Sequence, residues 1–255
     1  MAPKRKIAFA ASRAELAQEA LAALTARYGN CAPEAAEVIV ALGGDGFMLH
    51  MLHETQDLPA PVYGMNRGTV GFLMNDYAET GLEARLEAAE LAVLNPLRMR
   101  ARCADGTERE ALAINEVSVL RAGPQAARLA ISVDGKLRME ELICDGVLVS
   151  TAAGSTAYNY SAHGPILPIG SEVVAVTPIA AFRPRRWRGA LLPKRTRIDI
   201  TVLDADKRPV MADADSRPAG RVLSVRVESA ADVEHRVLFD PDHGLEERLI
   251  REQFV

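Results

Sequence analysis

Val38-Ile39-Val40-Ala41-Leu42-Gly43-Gly44-Asp45-Gly46-Phe47-Met48-Leu49 decides the fold of this chain. Val38 to Leu42 is an apolar, β-prone run, and Phe47 to His53 reads as the start of a helix. A carboxylate therefore sits among three glycines where a buried strand turns into a helix. An α/β sheet presents backbone N–H groups to anions at such turns. Glycines let the backbone approach a ligand closely. A bare carboxylate repels phosphate, so Asp45 fits there as an acceptor of the proton from an attacking hydroxyl, or as a partner of phosphate through a cation. The loop points to phosphoryl transfer to an alcohol.

The flanking sequence extends the pattern. Ile7 to Ala11 predicts a strand, and Ser12 with Glu15 predicts a capping box. Leu16, Ala20, Leu21, Leu24 and Tyr28 recur at helical spacing up to Gly29. Pro61 to Met65 reads as a third strand, and Thr80 with Glu83 as a second capping box, opening a helix through about Glu90. This β-α-β-α-β order predicts a Rossmann-like parallel sheet with covering helices over residues 1–97. The texture changes at Leu94-Asn95-Pro96-Leu97. Residues 98–239 carry hairpin signals at Asp105-Gly106 and Asp134-Gly135, and alternating runs at 130–133, 197–202 and 222–227, which predict a mainly β domain. The weakly helical tail, Leu245 to Phe254, is expected to bring residues 240–255 back to the first domain.

Composition narrows the function classes. The 255 residues are 49% apolar and 25% charged, with a net charge of −4, so no global charge points to nucleic acid or a membrane surface. No apolar run approaches the roughly 20 residues of a spanning helix. The basic start is followed only by Ile7-Ala8-Phe9-Ala10-Ala11, too short for the apolar part of a signal peptide. Cys31, Cys103 and Cys144 lack metal spacing and fit reduced thiols in the cytoplasm.

Three further segments carry chemistry. Gly64-Met65-Asn66-Arg67-Gly68 with Gly71-Phe72-Leu73 follows the third strand at the same sheet edge as the Asp45 loop. Asn115-Glu116 lies in a β pattern, where adjacent side chains point to opposite faces, and an Asn suits an adenine edge. Asp145-Gly146 opens a strand that runs into Gly154-Ser155-Thr156-Ala157-Tyr158, a hydroxyl-rich loop with a ring for stacking. Its order is not the Gly-x-Ser-x-Gly elbow of a serine hydrolase, although His163 lies close by. His50 and His53 sit three apart on the helix, where packing or surface roles outweigh metal binding. Phe182-Arg183-Pro184-Arg185-Arg186-Trp187-Arg188 is a basic cluster that reads as a solvated loop or subunit contact.

Taken in order, Gly43-Gly44-Asp45-Gly46, Gly64-x-Asn66-x-Gly68-x-x-Gly71-Phe72-Leu73, Asn115-Glu116 and Asp145-Gly146 with Gly154-Ser155-Thr156-Ala157-Tyr158 resemble the NAD kinase family. Ser161, Gly164-Pro165 and Thr177-Pro178-Ile179-Ala180 continue the likeness, which spans about residues 5–245. The resemblance implies an α/β N-terminal domain and a β-sandwich-like C-terminal domain with the active site between them. It implies transfer of a phosphoryl group from ATP, or from polyphosphate, to the 2′-hydroxyl of the adenosine ribose of NAD, with magnesium or another divalent cation. By the same resemblance Asp45 accepts the hydroxyl proton, and Gly43, Gly44, Gly46, Asn66, Arg67 and Gly68 face phosphate. Phe72 flanks the NAD site, Asn115 and Glu116 hold the dinucleotide, and Ser155, Thr156, Ala157, Tyr158, Ser161 and Ala180 line the adenosine pocket. Asp145 meets the nicotinamide half, across a subunit boundary in oligomeric relatives, so a homodimer or homotetramer is expected. Asp213 of Asp213-Ala214-Asp215 is matched to a later family aspartate, and Phe47 stands where the family places Thr. The Arg183–Arg188 run is denser than the family pattern and is expected to strengthen ATP or polyphosphate binding. Two other readings share the first loop: a lipid kinase of the diacylglycerol kinase type, and a nucleotide-binding sensor without activity.

Overall fold

The computed structural model describes residues 5–68, 71–185 and 187–241. The chain divides into two compact units: one ends at Leu94 and resumes at Val233, the other is Asn95–Asp232. No helix among the described residues is long and apolar enough to cross a membrane.

The first unit opens with β1 (Ile7–Ala11), α1 (Glu15–Tyr28), β2 (Val38–Gly43), α2 (Asp45–Glu54), β3 (Val62–Asn66), α3 (Leu82–Ala88) and β4 (Glu90–Leu94). The second unit supplies β5 (Leu97–Cys103), β6 (Glu108–Ala113), β7 (Glu116–Arg121), β8 (Ala127–Val133), β9 (Lys136–Cys144), β10 (Gly146–Ser150), α4 (Tyr158–Ser161), β11 (Val173–Ile179), β12 (Ala190–Pro193), β13 (Ile198–Val202), β14 (Val210–Ala214) and β15 (Arg217–Ser229). The chain then returns to the first unit as β16 (His235–Phe239). The expected helical tail lies outside the described residues.

In the first unit the strand order is β1-β2-β3-β16-β4. β1, β2, β3 and β16 are parallel, and β4 runs against β16. Every residue of β2 is buried, as a strand covered on both faces must be. β16 is held in place by a buried polar network. The Tyr63 hydroxyl donates to Asp240 at 2.6 Å, Arg85 pairs with the same carboxylate at 2.5 Å, and Asn75 donates to the carbonyls of Gly64 and Leu238. Burial and the neighbouring carboxylate push the Tyr63 hydroxyl well above its ordinary pKa.

Both expected capping boxes are absent. α1 begins at Glu15 behind Ala14, with no side-chain cap, and the Ser12 N–H instead donates to Leu42 O. α3 begins at Leu82 behind Gly81, whose φ of +74° makes the entry, and it ends at Ala88 because Glu90 already belongs to β4. The buried stripe of α1 is Ala17, Ala20 and Leu24, while Leu16 is 54% exposed. Ala20 and Leu24 thus keep their expected places, and Ala17 is buried in place of Leu16. Gly29 does close α1, with φ +81° and its N–H on Thr25 O.

In the second unit the strand path is β12-β11-β10-β7-β14-β15-β13-β8-β9, and β5 pairs with both β15 and β6. β15 joins the two halves: Arg217–Arg221 pairs with β14, and the residues from Val222 onward pair with β5 and β13. Bulges lie at Ala212/Asp213 and Val222/Ser224, where such a strand bends from one layer to the other. The inward residues, among them Met99, Val117, Val119, Leu129, Ile200 and Val225, form one apolar core. The Asp134-Gly135 turn has φ of +50° and +77°, a primed two-residue hairpin. At Asp105-Gly106 the Asp105 carboxylate accepts the N–H and hydroxyl of Thr107.

Candidate functional site

Asp45 is the first residue of α2, placed by the buried strand before it and by Gly44, an extended N-cap without a side chain. Both carboxylate oxygens are used. Phe72 N–H donates to Oδ2 at 2.7 Å and Leu73 N–H to Oδ1 at 3.0 Å. The loop after β3 is thus tied to the loop after β2, and Arg67 N–H to Gly43 O at 2.7 Å reinforces the tie, while Gly68 N–H to Asn66 Oδ1 at 2.8 Å folds the β3 loop on itself. The glycines divide by role. A Cβ on Gly71 would stand 2.8 Å from Asp45 Oδ1, so that position must stay bare for the carboxylate to fit. A Cβ on Gly44 or Gly46 would meet nothing within 4 Å, so the loop faces open space there. Phe47 packs over Gly43, whose Cβ would lie 2.8 Å from the Phe47 Cβ. The Arg67 guanidinium is engaged within this unit, donating to Leu16 O at 3.0 Å and lying 4.2 Å from the Tyr77 ring centroid.

In the second unit, Ile114 and Asn115 form a bend between β6 and β7. Asn115 therefore precedes the strand and does not alternate within it. Asp215 shapes that bend. Its carboxylate accepts the N–H groups of Ile114, Asn115 and Glu116 at 2.5, 3.0 and 3.2 Å. The carboxylate that caps this bend is Asp215; Asp213, the residue matched to the family aspartate, lies within β14. From the other side Thr151 N–H donates to Asn115 O at 2.9 Å, and the Thr151 hydroxyl donates to Ile114 O at 2.7 Å. Gly154 packs on the same backbone. Asn115 Oδ1 and Glu116 Oε2 are buried with no hydrogen-bond partner among the described residues. Buried polar atoms are normally paired, so these two fit a ligand.

Burial, then the charges of Asp215 and Asp213, push the Glu116 carboxyl up from 4.5 to about 7. A carboxyl raised in the folded state favours folding most below its unfolded value, and that contribution is lost as pH rises through the folded one. The loss amounts to on the order of 3 kcal/mol between pH 4.5 and 8. Glu116→Gln stays neutral throughout. Its Tm should match the parent near pH 4.5 and exceed it by about 5–10 °C at pH 8; thermal melts at the two pH values check this, and equal Tm at both would refute it.

Ser155 is fully buried, donating to Ala152 O at 2.7 Å and accepting from Leu167 N–H at 2.9 Å. A hydroxyl so enclosed has no access for nucleophilic chemistry, and it acts by holding the loop. Thr156, Ala157 and Tyr158 are half-buried, and Ser161 is exposed at the end of α4. The anchor beneath them escaped the sequence reading. Asn159 is fully buried, donates to Ser155 O and Pro165 O, and accepts from the Thr177 hydroxyl at 2.6 Å. Its only sequence signal is an amide between Tyr158 and Tyr160. Ala180 follows β11 with φ +48° and is exposed. Asp145, between β9 and β10, pairs with Arg121 at 2.6 Å. Burial pushes the adjacent Cys144 thiol up to about 12.

The Phe182 ring is exposed, with the guanidinium carbons of Arg183 and Arg185 at 5.6 and 5.2 Å from its centroid. Arg185, Trp187 and Arg188 line a cavity of about 200 Å³ with His163 and Ala180. Arg186 lies outside the described residues. His50 is exposed, and the His53 ring meets His235 edge-on at 5.9 Å. No three His, Cys, Asp or Glu side chains gather as a metal-holding group among the described residues.

Comparison with known proteins bears on both units. Residues 5–85 match the ATP-NAD kinase N-terminal domain model, and residues 114–228 the ATP-NAD kinase C-terminal domain model. The chain is 68% identical over its full length to an NAD kinase of Cereibacter sphaeroides, also over that protein's full length. Among solved structures it resembles yeast NADH kinase complexed with NADH, with a TM-score of 0.84 and 20% identity over 99% of this chain and 88% of that one. It also resembles an NAD kinase from Archaeoglobus fulgidus in complex with ATP, with a TM-score of 0.75 and 25% identity over 98% and 97% of the two chains.

Proposed function

The chain belongs to the NAD kinase family, and on that premise we propose that it transfers a phosphoryl group from ATP to the adenosine 2′-hydroxyl of NAD with Asp45 as the proton acceptor. The observation that carries the role of Asp45 is its setting: a carboxylate at the first turn of α2, oriented by the Phe72 and Leu73 amides and flanked by the open glycines Gly44 and Gly46. A hydroxyl attacking phosphorus loses its proton as the bond forms, and a carboxylate within hydrogen-bond reach takes it. Phosphoryl transfer otherwise asks for positioning and charge stabilisation, which loop amides near Gly44 and Gly46 supply. Asn115 and Glu116 recognise the dinucleotide, Asn115 at the adenine. Thr156, Ala157, Tyr158 and Ser161 line the adenosine pocket with Ala180. No three His, Cys, Asp or Glu side chains gather as a metal-holding group among the described residues, and the divalent cation that the family resemblance implies would enter with the nucleotide.

The test is an assay of the purified chain with ATP and magnesium against NAD, NADH and diacylglycerol in parallel, the position of the new phosphate being read by NMR. Phosphate on the adenosine 2′-oxygen of NAD is expected. Phosphate on another hydroxyl would overturn the assignment.

Two finer readings belong with this one. Asp145 stands in a half-buried bend beside Arg121, a position that suits contact with the nicotinamide half in a homo-oligomer. Arg183, Arg185 and Arg188 form an exposed cationic cluster suited to the phosphates of ATP or polyphosphate. Replacing all three with Ala should raise the donor KM about 3- to 10-fold and flatten its salt dependence; unchanged donor affinity would sink that role.

A further inference from the structure

The hairpin between β14 and β15 turns on Asp215 and Ser216, with φ of +47° and +64° and no glycine. Left-handed backbone at two successive side-chain-bearing residues costs free energy and persists where the surroundings over-determine it. Here the compensation is visible: the Asp215 carboxylate gathers three successive N–H groups, those of Ile114, Asn115 and Glu116. Charge-assisted bonds of this kind are about twice as strong as neutral ones. The Asn115-Glu116 bend thus receives its shape from a residue about a hundred positions away in sequence.

The side chains of that bend are not consumed by the fold. Asn115 Oδ1 and Glu116 Oε2 are buried and have no partner among the described residues. One carboxylate therefore fixes the backbone of two residues whose side-chain oxygens remain unsatisfied. We infer that Asp215 is a positioning residue for the dinucleotide, holding Asn115 and Glu116 in the conformation that presents those two oxygens to substrate. The inference rests on the reading above that Asn115 and Glu116 hold NAD. Asp215 does not itself touch substrate in this role; it acts through the backbone of the pair.

Charge gives the role a second signature. The groups acting on the Glu116 carboxyl are Asp213 on β14 and Asp215 in the turn, while its register partner on β10 is the uncharged Ser150. Asp215 thus both places Glu116 and opposes its ionisation. Replacing Asp215 should move the pH at which Glu116 titrates downward, a change that a purely structural residue elsewhere in unit 2 would not cause.

The test is steady-state kinetics of the full chain with NAD and ATP between pH 5.5 and 8.5. Asp215→Asn should raise the KM for NAD about 10-fold, leave kcat and the KM for ATP within about 2-fold, and shift the midpoint of the KM–pH profile to lower pH. An unchanged KM for NAD in Asp215→Asn overturns the inference, as does an unshifted midpoint. If Asp215→Asn does not fold, Asp215→Glu is measured instead, with a KM rise of about 3-fold or more expected; failure of both to fold makes Asp215 a folding residue and overturns the inference. Asn115→Ala separates the underlying reading. If it leaves the KM for NAD unchanged, the pair does not hold the dinucleotide; if it raises that KM while Asp215→Asn does not, only the positioning role falls.

Discussion

Asp45→Asn should fold, bind NAD within a few-fold of the parent and lose about 10²–10⁴-fold in kcat, the range associated with removing a positioned acid or base. The structure adds a second effect. Both Asp45 oxygens accept backbone N–H groups, from Phe72 and Leu73, and an Asn side chain must turn its NH₂ toward one of them. Losing one such bond and setting donor against donor costs about 1–3 kcal/mol, which loosens the loop after β3 without unfolding the unit. The variant is therefore read by kcat, by calorimetric NAD affinity and by a thermal melt together. A kcat within about 3-fold of the parent would remove Asp45 from the chemistry.

Gly154→Ala carries the largest structural effect. The added Cβ would lie 2.3 Å from Asn115 O and 2.5 Å from Asn115 Cα. These are backbone atoms, pinned on one side by Thr151 and on the other by Asp215, so they cannot swing away as a flexible side chain would. Overpacking of this kind costs about 1–3 kcal/mol or more, which for a chain of this size lowers Tm by roughly 3–10 °C. Whatever relaxation occurs displaces the Asn115-Glu116 bend, so the KM for NAD should rise at least 10-fold. Gly123→Ala is the control: its Cβ meets only Pro209 Cγ, at 4.0 Å, and Tm should stay within about 2 °C. A Gly154→Ala chain with parental Tm and KM would show that the contact is not tight in solution.

Much of the first unit was legible because its signals are local. The apolar run of β2 ending in glycines marked both the strand and the turn that presents Asp45, and Gly29 marked the end of α1. The capping boxes failed because Ser12 lies two residues and Thr80 one residue upstream of the actual entries, Ala14 and Gly81. In the second unit the Asp134-Gly135 hairpin was legible, since a primed turn needs those residue types, whereas Asp105-Gly106 sits in a longer connection, Ala104 to Thr107, between β5 and β6. The determinants of the Asn115-Glu116 bend were not. Asp215 reaches it only when β14 pairs with β7, and no pattern over a short window separates that residue from Asp213. Ser155 looked like a loop hydroxyl available to a ligand, and its enclosure by Ala152 and Leu167 depends on segments that meet only in the folded chain.

The place of β16 has a consequence for how the molecule is made. The strand that sits between β3 and β4 is the last described strand to leave the ribosome, after the whole of Asn95–Asp232. Until it arrives, β3 and β4 each lack a neighbour, and the Tyr63–Asp240–Arg85 network cannot form. The second unit has a continuous stretch of chain and its own core, so it is free to fold during synthesis while the first waits with open strand edges. Such edges pair with other chains when left exposed. A nascent chain stalled or truncated ahead of His235 is thus the form of this protein most exposed to aggregation, although the Asp45 loop has been complete since early in translation.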